Sequence, residues 1–306
     1  MNRTGNFIKI PNNMIIGEET LIKKYGDKAL IVYIYLENHR TLRNNLYISL
    51  SNCIEECGYK PNKKKGGTNE QFRKMLIEFK EEGIIETDVD LEKVKINDLI
   101  YCTMKEVDDK FFTIYDCELD KIIDYEEKED KLNILKVFAD IESRRHKNAD
   151  NVNPETYSEY EVSFPSYKQI CLDTLISSED SIKKYIDILV KLKLIIVGNN
   201  GDRVNTITGE VKRDNNTYAL ANNRGESSLR GALRLFKQKN EDNGWKYTKF
   251  KDNRNIGGEK SRIVQAINNK TVTVEQLKRL KEINNILEKE EYKTTNKEQQ
   301  EIEELL

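Results

Sequence analysis

Six cations crowd one short stretch of this chain. Lys60, Lys63, Lys64, Lys65, Arg73 and Lys74 meet a single acid, Glu70, between residues 60 and 74, for a local net charge of +5. Lysines on a loop suit phosphates, because a point charge on a long stem needs little geometric precision. Asn62, Thr68, Asn69, Gln71 and Arg73 lie in the same stretch, around the start of an expected helix. Asn and Gln amides match the adenine edge and Arg matches guanine. The pattern is the chemistry of a duplex contact, with phosphate held by the loop and base edges reached from the helix start.

A second basic zone lies toward the C-terminus. Residues 221–280 hold 14 Lys and Arg against six acids, a net charge of +8. Arg230, Arg234 and Lys237 fall at i, i+4 and i+7, with Trp245 and Tyr247 beyond. Counterion release makes such a zone useful on DNA; a solvated helix or a protein-docking face has the same composition.

Enzymatic constellations are poor. The only histidines, His39 and His146, each sit near an expected helix end beside Arg and read as surface residues. Cys53 and Cys57 share one helix without further ligands in sequence, where a zinc site needs four. Cys102, Cys117 and Cys171 read as small core fillers. The segment Gly257–Ser261, GGEKS, ends like a phosphate loop but lacks its earlier Gly and its adjacent Gly-Lys. The expectation is a non-catalytic chain with no cofactor and no metal.

These residues need elements to position them. The apolar run Ala29–Asn38, opened by Asp27 as a cap, reads as a buried central helix after a first helix over Gly17–Tyr25. Ser49 or Ser51 caps a short helix that Gly58 ends. Thr68 with Gln71 forms a capping-box pair opening a longer helix whose stripe is Phe72, Met75, Leu76 and Phe79. Gly83 closes it, and Ile84-Ile85 starts a strand. Leu99–Met104 and Phe111–Tyr115 read as two more strands joined by a polar hairpin.

The order then repeats. Leu132–Arg144 is a second central helix, Ser166 with Gln169 a second capping-box pair, and Ser178 opens a helix striped by Ile182, Tyr185, Ile186 and Leu189. That stripe repeats the first at a constant offset of 110, and Leu194-Ile195-Ile196 repeats the exit strand. Thr217–Leu220 reads as the return strand. Self-similarity at this scale implies two like domains in tandem. The second helix start is acidic, with Glu179 and Asp180 ahead of Lys183 and Lys184, so it is the weaker groove reader. Its wing, with Arg203, Lys212 and Arg213, can meet backbone phosphate, or the copy can serve dimerisation.

The fold expected is mostly α with small β wings: tandem winged helix-turn-helix domains over 1–124 and 125–222, then a C-terminal basic helical region over 223–306. Helices are expected there over Gly225–Asn240, Glu259–Ile267, Val274–Leu287 and Lys297–Leu306.

The segments YISLSNCIEECGYKPNKKKGGTNEQFRKMLIEFKEEGII and FPSYKQICLDTLISSEDSIKKYIDILVKLKLIIV resemble the winged helices of RepA-like or DnaD-like replication initiators and phage replication proteins from low-GC Gram-positive bacteria. The resemblance covers roughly residues 5–222. It implies origin binding on double-stranded DNA, with a C-terminal part that recruits replication machinery such as a helicase loader. A transcriptional regulator and a protein-interaction module are the rival readings. A homodimer follows from the habits of proteins that bind repeated half-sites, although two tandem domains can also read two half-sites from one chain.

The whole-chain balance is near neutral. The 306 residues carry 51 Lys and Arg against 53 Asp and Glu, a formal net charge of −2, which excludes an indiscriminate polycation. No apolar run approaches a membrane span. The start MNRTGNFIKIPNN lacks a secretory apolar region, and the five Cys are unevenly placed, so a reduced, cytoplasmic chain is expected.

Overall fold

The computed structural model describes residues 6–127, 129–145, 160–248, 253–269 and 271–289. These residues form helices and small antiparallel sheets. The chain divides into two compact units, residues 1–199 with 215–239, and residues 200–214 with 240–306. That division cuts across the consecutive segments 1–124, 125–222 and 223–306.

The first unit opens with β1 (Phe7–Pro11), α1 (Leu21–Tyr25), α2 (Ala29–His39), β2 (Asn45–Ile48), α3 (Leu50–Glu56), α4 (Thr68–Glu81), β3 (Ile85–Glu86), β4 (Ile100–Met104) and β5 (Phe111–Tyr115). α1 is shorter than its sequence suggests: Thr20 caps it by accepting the Lys23 N–H. α2 buries residues on every side, from Leu30 through Leu36 except Ile31, as an apolar run in a small core must. Asp27 does not cap it; the cap residue is Lys28, without a side-chain bond. Ser49 caps α3 through the Asn52 N–H at 3.2 Å. Phe72, Met75, Leu76 and Phe79 all point from α4 into the core.

Two strand assignments differ from the sequence reading. β4 does not form a hairpin with β5. Its two edges are taken by β2 and β3, so β5 pairs antiparallel with β1 instead, Ile8 opposite Ile114 and Ile10 opposite Phe112. All four of these side chains are buried, which fixes the register. β2 itself, in front of the Ser49 cap, is a strand that the helix signals around it conceal.

α5 (Asp116–Ile123), unforeseen in the acidic stretch after β5, leads into the second set: α6 (Lys131–Ser143), β6 (Val162–Ser163), α7 (Tyr167–Thr174), α8 (Glu179–Lys191), β7 (Ile195–Gly198), β8 (Asp202–Asn205), β9 (Val211–Arg213) and β10 (Thr217–Leu220). Asp130 caps α6, Ser166 caps α7 and Ser178 caps α8. Ser166 accepts the Gln169 N–H, but the Gln169 amide turns to Asp173, so that capping box is half formed. Ile182, Tyr185, Ile186 and Leu189 are buried, as their first-set counterparts are.

The sheets repeat as well. The order is β2-β4-β3 in the first set and β6-β10-β7 in the second, each antiparallel with its last strand in the middle. One continuous hydrophobic core, from Ile8 to Leu220, joins both sets. The helix α9 (Gly225–Asp242) lies across the second sheet, packing Leu229, Ala232, Leu233 and Phe236 on Val162, Ile196 and Ala219.

In the second unit, β8 pairs with both β9 and β11 (Trp245–Thr248). Trp245, which the sequence reading places only at the end of the helix before it, thus opens a strand. α10 (Asn253–Asn268) starts earlier than its sequence suggests, and α11 (Val274–Lys289) follows; Ile263, Leu280 and Ile283 form their core. The helix expected over Lys297–Leu306 lies outside the described residues, as does His146. Among the described residues no helix is long and apolar enough to cross a membrane.

Candidate nucleic-acid interface

The loop between α3 and α4 is built by its own polar side chains. Gly58, at φ +85°, turns the chain out of α3. The Asn62 N–H then donates to Asn69 Oδ1 at 2.8 Å, and the Lys64 N–H to Asn62 Oδ1 at 3.0 Å. Thr68 Oγ1 donates to the Lys60 carbonyl at 2.6 Å, and Gln71 Nε2 to the Gly66 carbonyl at 2.7 Å. Glu70 reaches back to accept the Gly66 N–H at 2.6 Å. The capping box expected of Thr68 and Gln71 is therefore absent: Gly67 is the cap residue, and Thr68 is already inside the helix. Only glycine fits there, since a Cβ on Gly67 would lie 2.6 Å from the Asn62 carbonyl oxygen.

This arrangement separates the sequence-predicted residues into two groups. Asn62, Thr68, Asn69 and Gln71 are engaged in holding the loop. Arg73 is half-buried and donates to the carbonyls of Leu91, at 2.6 Å, and Glu92, at 3.2 Å, tying α4 to the β3–β4 connection. Lys60, Lys63, Lys64 and Lys65 are exposed and form no ion pair among the described residues. Lys74 is exposed too, 3.5 Å from Glu78. The loop thus presents four ammonium groups on a backbone already fixed, so ordering it on a ligand costs little further entropy.

Sequence reasoning missed Lys28. It donates to Gln71 Oε1 at 3.1 Å and lies 5.2 Å from the centre of the Tyr59 ring. It extends the basic patch from the start of α2, and nothing in a sequence separation of 43 residues signals that meeting. The acidic stretch that begins at Glu78 and runs through Asp90, plain in the sequence, continues along the β3–β4 connection. Asp88, Asp90, Glu92 and Asp98 outnumber Lys93 and Lys95 there, and Lys93 is paired with Asp90 at 2.7 Å. That connection repels phosphate, so the basic surface is confined to the α3–α4 side.

The second set lacks the loop. Only residues 175–178 separate α7 from α8, against 57–67 in the first set. Glu179 and Asp180 occupy the first turn of α8, where they suit the helix dipole and oppose an anion. Lys183 is exposed, while Lys184 pairs with Glu129 at 2.5 Å. Arg203 does not stand free on a wing: it pairs with Asp214 at 2.8 Å and lies over the Trp245 ring at 4.9 Å. Lys212 pairs with Glu210. On α9, Arg230, Arg234 and Lys237 lie on the exposed side opposite the apolar stripe, and Arg230 pairs with Glu226 at 2.9 Å.

The cysteines bear no site geometry. Cys53 and Cys102 are buried, and Cys57, Cys117 and Cys171 are half-buried, so Cys117 and Cys171 are not full core fillers. A hydrogen bond with Cys57 and burial push the Cys53 thiol far above its ordinary range, away from the thiolate.

Each central helix holds a buried carboxylate beside an arginine. Glu37 accepts from Tyr33 at 3.1 Å and pairs with Arg40 at 3.0 Å; burial raises its pKa against those partners. Asp140 pairs with Arg144 at 3.1 Å, but Arg144 also binds Asp173, and Asp140 Oδ2 has no hydrogen-bond partner among the described residues. Burial, with the nearby Asp173 carboxylate, pushes Asp140 up to about 7. Neither group lies in the basic loop.

No family model, curated protein or solved structure matches the chain.

Proposed function

We propose that this chain binds double-stranded DNA through the α3–α4 loop of the first of two winged helices, without catalysis, and that it serves to initiate replication of a plasmid, phage or other mobile element. One observation carries the DNA-binding reading: four lysines without ion pairs among the described residues, on a loop whose remaining polar side chains are spent holding it at the start of α4. The repeated order of three helices and a three-stranded sheet supports the winged-helix reading, in which α4 is the recognition helix. Phosphate contacts from Lys60, Lys63, Lys64 and Lys65 predict a log–log salt slope of about −3.6 from this loop alone. Sequence selection at repeated origin sites then requires Asn69 or Gln71 to exchange its loop bond for a base edge, each such bidentate pair being worth about 1–3 kcal/mol of discrimination.

The initiator role rests on the resemblance of the two repeats to replication initiators. Replacing Lys63, Lys64 and Lys65 together by Glu should abolish duplex retardation at physiological salt, a loss of at least about 100-fold in affinity. Unchanged retardation removes the assignment. For initiation, the protein supplied in trans should support replication of DNA that carries direct repeats from beside its own gene. Footprints confined to a promoter, with no origin activity, would make the chain a regulator instead.

A further inference from the structure

The two sheets have the same strand order but different outer faces. In the second, Val162, Ile196 and Ala219 lie under α9. Phe236 of α9 meets Phe164 edge-on at 5.3 Å, and Gly198 is so closely covered that a Cβ there would strike Leu233 at 2.6 Å. The registers align Asn45, Thr103 and Glu86 of the first sheet with Val162, Ala219 and Ile196 of the second. Tyr47, two residues beyond Asn45, then takes the place of Phe164.

The first sheet carries no such cover among the described residues. Tyr47, Leu99 and Tyr101 point outward and are 60%, 69% and 44% exposed, while their neighbours Ile48, Ile100 and Cys102 point inward and are buried. Tyr47 and Tyr101 pair across the strands with ring centres 5.1 Å apart. Three large apolar side chains together on one open face mark a contact surface.

Charge decides what fits. Glu86 is on this face, exposed and without an ion pair among the described residues. Asp88 follows the same strand and Asp98 precedes Leu99; both are exposed. A second copy of the chain meeting this face about a two-fold axis would set these carboxylates against themselves. An apolar helix flanked by cations would instead cover the tyrosines and pair with the acids, as α9 covers the equivalent apolar face.

We propose that the outer face of the β2-β4-β3 sheet docks a basic amphipathic helix of a partner protein, with apolar residues at i, i+4 and i+7 on Tyr47, Leu99 and Tyr101 and a cation at Glu86. The mode is the helix-on-surface recognition that amphipathic segments use generally. It is independent of the DNA reading, since the lysine loop is on another part of the repeat's sequence and no readout below contains DNA.

The probe is a labelled, end-blocked peptide of residues 225–240, which has the apolar stripe Leu229, Leu233 and Phe236 with Arg230, Arg234 and Lys237 beside it. Its binding to the full chain is followed by fluorescence anisotropy. The wild type should bind it, Tyr101→Ala and Tyr47→Ser should each weaken it at least tenfold, and Glu86→Lys should weaken it while strengthening a version with its cations changed to Glu. Leu172→Ala, at an exposed leucine on α7, should leave it unchanged. Unchanged thermal melting shows that the variants are folded. Absence of wild-type binding, or binding indifferent to Tyr47, Tyr101 and Glu86, overturns the proposal. So does a wild-type dimer in sedimentation equilibrium that Tyr101→Ala turns into monomer, because the occupant is then a second copy.

Discussion

The two repeats of the first unit share an interior and differ on the outside. Four buried positions of α4 recur in α8 at an offset of 110, the short helices α3 and α7 start on serine caps, and the sheets have the same strand order. Yet the first repeat has a long lysine loop and an open sheet face, and the second a four-residue turn, an acidic helix start and a sheet covered by α9. Packing constrains what lies inside, because interiors are close-packed and a changed volume is felt at once. Charge and loop length outside are free to differ, and there the two repeats diverge.

The shared interior is where a single substitution does most damage. Phe72→Ala and Ile182→Ala remove fully buried side chains from equivalent sites, and they should cost about 3–5 and about 2–5 kcal/mol respectively in denaturant unfolding. Because one core runs through both repeats, the two variants should lower a single cooperative transition. A variant that melts its own repeat and leaves the other intact would show two independent domains.

The buried carboxylates of the two central helices respond differently to pH. Glu37 has a tyrosine hydroxyl as a further partner, whereas Asp140 has a second carboxylate, Asp173, nearby. A carboxyl whose pKa is higher in the folded chain than in the unfolded one binds its proton more tightly when folded. Its contribution therefore falls as pH rises from near 3.8 to about 7 and is level above that. Asp140→Asn should flatten the decline of melting temperature across this window and raise stability relative to wild type above it. An unchanged pH profile would mean that Asp140 is ionised throughout.

The smallest effect tests the surfaces. Glu179→Lys with Asp180→Lys gives α8 the sign that α4 has in front of it. Duplex affinity should rise by up to about tenfold at low salt and lose that gain at high salt. No gain would mean that the longer α3–α4 loop, and not charge alone, makes the contact.

Much of this fold is legible along the chain. The stripe of Phe72, Met75, Leu76 and Phe79, the caps Ser49, Ser166 and Ser178, and the breaks at Gly58 and Gly83 are local, because helix periodicity and capping act within four residues. The pairing of β5 with β1 is not local: Phe111–Tyr115 alternates equally well for either neighbour, and only the occupied edges of β4 direct it to Phe7–Pro11. The lysines of the candidate site are plain in sequence. That Asn62, Asn69 and Gln71 hold the loop, or that Lys28 joins it, is not, because an amide has no signature for which partner it takes.

Most of the helices, their buried stripes, the repeated order and the concentration of positive charge between Lys60 and Lys74 are written locally along the chain, whereas α5 is not. Which polar side chains between Lys60 and Lys74 remain available, and which sheet face α9 covers, follows from the folded packing alone. Periodicity and charge are properties of neighbours along the chain. Availability depends on what the fold brings against each side chain from far away in sequence.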